Sequence, residues 1–259
     1  MRRQWARSAT AIALALALLA GTGAAPANAT ARPQVIGTIV TWAQTAYSVL
    51  KDFFGNKRSI EDATRAILDA ISTAKTELIN HIDQVAITQA KACAHSAVDD
   101  FADIERFTPD TLQAYARDSS YCVNLIDSQL SAITDKSAVD QLGFALHAVA
   151  PIAQVARSRA GFSGTGLLAT VRDGSNIVIA KLEPECHVEA EAVGGPYRAA
   201  RRQWLITLVC TGYDGTSASK YLGYRTSPNP PVTYPDSLKD SATNTTSRIA
   251  ARTVLPLLP

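Results

Sequence analysis

Along the first two thirds of the chain, apolar residues recur at steps of three and four. That period marks one face of a helix. Ile36, Ile39, Ala43, Tyr47, Leu50 and Phe54 trace one such stripe over 33–54, and Gly55 ends it. Trp42 and Phe53 widen its apolar side. A second stripe starts after Ser59, with Asp62 three residues on in a capping-box arrangement. It continues through Ile67, Ile71, Ala74, Leu78, Ile82, Ala86, Ala90, Cys93, Ala97, Phe101 and Ile104. Its mean step of about 3.7 residues is close to the period of a straight helix. No Gly or Pro lies between Gly55 and Pro109, so the pattern predicts one helix over 59–106. At ~1.5 Å per residue it would be about 70 Å long.

Thr108-Pro109 then restarts the pattern, Thr108 as cap and Pro109 at the first helical position. Leu112, Tyr115, Cys122, Ile126, Leu130 and Ile133 line this third helix, 109–133. So short a turn makes an antiparallel helix pair. Cys93 lies 14 residues before Phe107 and Cys122 lies 15 after it, so the two come level and form a disulfide. A fourth helix starts near Ser137 and runs to Ala160, with Pro151 inside it and Gly161 ending it. From Leu142 to Val155 only His147 and Gln154 interrupt its apolar run, the mark of a central helix.

After Gly161 the period changes to two, and Gly, Pro, Thr and Tyr become common. Residues 176–182, 186–193, 203–211 and 220–226 read as strands. Asp173-Gly174, Gly194-Gly195-Pro196 and Asp214-Gly215 read as turns. If Cys186 faces Cys210, then Val188 faces Leu208, Ala190 faces Ile206 and Ala192 faces Trp204, all on one face. That register supports a second disulfide, Cys186–Cys210. Four prolines make 227–235 extended, and 237–254 reads as a weak terminal helix.

The fold class that emerges is α+β, mainly α. An elongated antiparallel bundle of four helices, one of them very long, precedes a small antiparallel β module. Residues 1–29 read as a signal peptide, 30–160 as the bundle, 161–226 as the β module, and 227–259 as the Pro-rich segment and weak helix. The signal reading rests on Arg2, Arg3 and Arg7, an apolar run from Thr10 to Ala20, and the small-residue site Ala27-Asn28-Ala29. Export suits four cysteines, an even number that pairs in an oxidising compartment. The chain is rich in Ala and Arg and poor in Lys and Met, a composition of exported bacterial proteins. Its 25 basic and 23 acidic residues nearly balance, so bulk binding of nucleic acid is not expected.

No P-loop, GxGxxG, HExxH or CxxC occurs. Residues 161–166, Gly-Phe-Ser-Gly-Thr-Gly, fall short of a nucleophile elbow because Thr165 stands where Gly is needed; they read as a flexible linker. Asp99, Asp100, Asp103 and Glu105 crowd the end of the long helix, where the macrodipole disfavours anions. No cofactor is expected; Ca²⁺ is the one such an oxygen-rich cluster would take. Tyr197, Arg198, Arg201 and Arg202 fall in the loop between the paired strands, with no acid from Arg198 to Tyr213. Tyr and Arg anchor interfaces, which points this tip at an anionic extracellular polymer, acidic protein or membrane surface. The function these features favour is a secreted, non-enzymatic interaction protein. The apolar 142–155 segment favours a membrane-active, pore-forming or lipid-binding protein as the alternative. A secreted hydrolase with a site assembled from distant residues is a third.

Overall fold

A computed structural model of the protein describes residues 32–193 and 203–258, with side chains from Gly37 onward. Among the described residues there are eight α-helices and three strands. The helices are α1 (Arg32–Phe54), α2 (Ile60–Ile82), α3 (Thr88–Asp100), α4 (Pro109–Ala132), α5 (Lys136–Arg159) and α6 (Thr165–Lys181), then α7 (Asp236–Ala242) and α8 (Ser247–Val254). Between α6 and α7 come β1 (Glu185–Val193), β2 (Gln203–Thr211) and β3 (Ser217–Arg225). The protein is mainly helical with a small antiparallel sheet, as the period change in the sequence implies.

The core is built around α5. Every residue from Leu142 to Ala156 is buried. A helix apolar on all sides needs neighbours on all sides, and α1, α2, α3, α4, α6 and α8 supply them. The helix continues past Pro151, which lies inside it. None of the described helices is long and apolar enough to cross a membrane.

The long second helix is not one helix. It breaks at residues 83–87 and re-forms as α3, and a 3₁₀ turn (Phe101–Arg106) then leads to α4. No Gly or Pro causes the break; tertiary contacts do. Val85 turns into the core, where it is 4 % exposed. The amide of Ala86 donates to the Gln141 side chain at 3.0 Å, and Lys91 donates to the carbonyl of Asp83 at 2.7 Å. A straight helix of about 70 Å would overshoot α5, which spans about 36 Å. Broken, both halves pack on α5. The bundle therefore holds more than four helices and no very long one.

The strand expected at 176–182 is also overturned, together with the turn at Asp173-Gly174. Both lie in α6. Leu167, Leu168, Val171, Gly174, Ser175 and Val178 are its buried residues, at helical spacing. The β-branched run Ile177-Val178-Ile179 imitates a strand locally. Gly174 is there for close packing: a Cβ would sit 2.7 Å from Leu146 Cδ2 on α5. Residues 161–166 are not a loose linker either. The buried Gln154 side chain donates to the Gly164 carbonyl at 3.1 Å, and Arg157 donates to the Ser163 carbonyl at 2.8 Å.

Other sequence expectations hold in detail. Ser59 accepts from the Asp62 amide at 3.0 Å and donates to the Asp62 carboxylate at 2.9 Å. Thr108 caps α4 by accepting from the Thr111 amide. The Cys93–Cys122 disulfide ties α3 to α4 with Cα atoms 5.5 Å apart, and Cys186–Cys210 ties β1 to β2 at 4.1 Å. The strand order is β1-β2-β3. The β1–β2 register pairs Val188 with Leu208, Ala190 with Ile206 and Ala192 with Trp204. The terminal helix expected over 237–254 is split into α7 and α8 at Thr243–Thr246.

A polar layer joins bundle, sheet and C-terminal helices. The Asp140 carboxylate on α5 accepts from the Ser247 amide at the start of α8 and from the Tyr213 hydroxyl beyond β2. Arg248 is 2 % exposed and donates to Glu183 at 2.6 Å and Asp240 at 2.8 Å. Lys239 adds a third cationic contact, to Glu183. A buried charge needs such partners, because losing one leaves the other desolvated and unpaired.

Candidate binding face of the sheet

Alternation gives the sheet two unlike faces. On the inner face, Leu208 and Cys210 are fully buried against Leu238 and Ala242 of α7, with Val188, Leu222 and Tyr234 packed around them. The outer face carries His187, Glu189, Glu191 and Val193 from β1, Leu205, Thr207 and Val209 from β2, and tyrosines from β3. Pairing sets two rungs across it: Glu189–Thr207–Tyr221 and Glu191–Leu205–Tyr224. Each begins on a carboxylate and ends on a tyrosine. At ~4.8 Å between strands, carboxylate and ring are about 10 Å apart at their backbones.

Tyr221 and Tyr224 are three residues apart, so a regular strand would put them on opposite faces. A register shift between Ile206 and Thr207 inserts one extra residue in β3 and brings both to the outer face. Gly223 sits in that bulge with φ +92°, a conformation that costs a side chain about 1–2 kcal/mol. A Cβ at Gly223 would meet nothing closer than 3.9 Å, so the backbone angle rather than space calls for glycine. Bulges commonly re-aim a side chain in this way.

Tyr221 is 55 % exposed and Tyr224 53 %. With Val193 they are three of the four large apolar side chains that stand exposed among the described residues; the fourth, Tyr121, is on α4. Exposed apolar groups gathered on one rimmed surface mark an interaction site. The acidic side of the face is only partly neutralised. Glu185 has Lys136 at 3.9 Å, and Glu189 has His187 at 3.5 Å. Glu191 forms no ion pair among the described residues.

The structure does not gather the acidic cluster read from the sequence. Asp99 pairs with Lys75 at 2.6 Å, and that hydrogen bond and charge hold its carboxyl below the usual range. Asp103 pairs with Arg106 at 2.9 Å, while Asp100 and Glu105 face solvent. Among the described residues no three His, Cys, Asp or Glu side chains come together to hold a metal. Tyr197, Arg198, Arg201 and Arg202 lie outside the described residues.

The buried polar groups do not assemble a nucleophile and base. His147 is fully buried against Tyr47 in an edge-on ring contact, neither ring nitrogen has a hydrogen-bond partner among the described residues, and burial pushes its pKa down to about 4. The Ser247 hydroxyl is buried against Gly143, where a Cβ would come within 2.3 Å of it. Those two α5 positions are one turn apart, yet both groups are sealed from solvent. His81 stacks edge-on against Phe144 at 4.4 Å.

Sequence reasoning passed over the tyrosine face. It found the register but not the bulge, and without the bulge Tyr221 and Tyr224 are never on one side. The Gly223 between them was the available signal. Compared with known proteins, the chain matches no family model, no curated protein and no solved structure.

Proposed function

We propose that this protein is a secreted binding protein whose partner docks on the outer face of the three-stranded sheet. One observation carries the reading: a bulge with a glycine at positive φ turns Tyr221 and Tyr224 to the same exposed face. Tyrosine supplies large contact area and a directed hydroxyl at small entropic cost, and is enriched at binding hot spots. Two disulfides support secretion, since such bonds persist in oxidising compartments.

The test compares wild type with a Tyr221→Ala/Tyr224→Ala double variant, both immobilised, across a panel of extracellular polypeptides and polysaccharides. Partners retained by the wild type and lost by the variant support the reading. Equal retention of every partner contradicts it.

A second reading rests on α5. A central helix apolar on every side and wrapped by amphipathic helices suits a membrane-active protein that exposes α5 on contact with lipid. Dye release from liposomes is the expected outcome of that reading, and intact liposomes across lipid compositions dismiss it.

A further inference from the structure

We infer that the partner of the outer sheet face is a basic polypeptide segment, rich in Arg or Lys; this rests on the binding-face reading above. The argument is charge complementarity on a surface of known layout. The outward positions of β1 hold Glu185, Glu189 and Glu191, and no Lys or Arg occupies an outward position on any of the three strands. Lys136 reaches Glu185 only at 3.9 Å from outside the sheet. Glu189 has His187 at 3.5 Å and, among the described residues, no Lys or Arg. Among the described residues Glu191 has no ionic partner, and it shares its rung with Tyr224.

The opposite side of the face is two exposed phenol rings. A ring face attracts a cation through its quadrupole, Arg above all. A segment laid across the strands therefore meets attraction for positive charge on both sides: carboxylates over β1 and rings over β3, about 10 Å apart. Leu205 and Thr207 between them accept the apolar stems that long basic side chains carry. The same charges explain why β1 is a safe sheet edge. It pairs only with β2 among the described strands, and its carboxylates repel a second copy of itself while leaving a basic chain free to approach.

The experiment titrates the intact protein with a ten-residue peptide of alternating Arg and Thr. Parallel arms use the matching Glu/Thr peptide, a neutral chito-oligosaccharide and dextran sulfate. The Arg peptide is expected to bind at low salt and weaken steeply with added salt. Glu189→Gln/Glu191→Gln is expected to weaken it about tenfold or more and flatten the salt dependence. Tyr221→Ala/Tyr224→Ala is expected to weaken it about tenfold while the salt slope stays. All four side chains are exposed, so unchanged melting temperatures confirm intact folds. Absence of Arg-peptide binding to the wild type overturns the inference, as does affinity unaffected by the glutamine pair. If instead the oligosaccharide binds and only the tyrosine pair abolishes it, the partner class is wrong but the face stands. If no probe responds to the tyrosine pair, as with dextran sulfate held equally by every variant, face and partner class both fall.

Discussion

The bundle and the sheet treat their large side chains in opposite ways. Around α5, apolar groups are covered from every direction, and even His147, Gln154 and Tyr47 are sealed in. On the sheet, one face is closed by α7 and the other leaves Tyr221 and Tyr224 in water. Of the described bundle residues, Tyr121 is the one large apolar side chain left exposed, whereas the sheet keeps a pair of rings open on one face through a local irregularity. In the bundle, sequence explains stability; on the sheet's outer face, residues such as Tyr224 contribute little to stability and are explained by contact with something else.

Substitution should separate the two regions sharply. Phe144→Ala on α5 removes a ring that is 1 % exposed, and is expected to cost about 3–5 kcal/mol by denaturant unfolding. Tyr221→Ala is expected to change stability by about 0.5 kcal/mol or less, as surface positions do. Equal costs would end the distinction. The disulfides come next. Cys93→Ala/Cys122→Ala removes the staple between α3 and α4 and is expected to cost about 2–5 kcal/mol, read as a lowered denaturation midpoint.

Acid should sharpen the contrast inside the bundle. Burial lowers the His147 pKa to about 4, so the unfolded chain takes up that proton more readily. Its contribution is complete above the ordinary histidine range and is lost as pH falls from about 6.5 toward 4. Burial raises Asp140 to about 6, against hydrogen bonds from Ser247 and Tyr213 that oppose the shift. There the folded chain takes up the proton first, so stability rises as pH falls from about 6 toward 4. The two effects oppose each other in one window. Asp140→Asn should therefore lose more stability than wild type between pH 6.5 and 4.5, and His147→Leu should lose less. Thermal melts across that range check both signs; parallel curves for all three proteins contradict the assignment.

What the sequence made legible follows from the range of the interactions involved. Caps at Ser59 and Thr108, both disulfides and the β1–β2 register depend on residues near one another or on strict alternation. The break after Ile82 depends on Gln141 and on Val85 finding a buried place, contacts from another part of the chain. Helix α6 was hidden because Ile177-Val178-Ile179 carries strand propensity, while the packing of Gly174 on Leu146 decides the outcome. The tyrosine face was hidden because one extra residue in β3 inverts the parity of all that follows.

The bulge allows a smaller test. Gly223→Ala keeps both tyrosines but penalises the positive φ, at an expected cost of about 1 kcal/mol. Binding should fall with it, since Tyr224 loses its aim, while the bundle's amide-exchange protection stays unchanged. Loss of stability with full retention of binding would mean that the bulge does not set the face.

Tyrosine reactivity, measured with and without bound partner, probes the central claim most directly. In the free protein Tyr121, Tyr221 and Tyr224 are exposed, whereas Tyr47 and Tyr115 are buried. Nitration followed by peptide mass spectrometry should modify the first three and spare the last two. With partner bound, Tyr221 and Tyr224 should become protected while Tyr121, even more exposed but on α4, should react as before. Protection of Tyr121 instead, or undiminished reaction at Tyr221 and Tyr224, would contradict the sheet face as the binding surface.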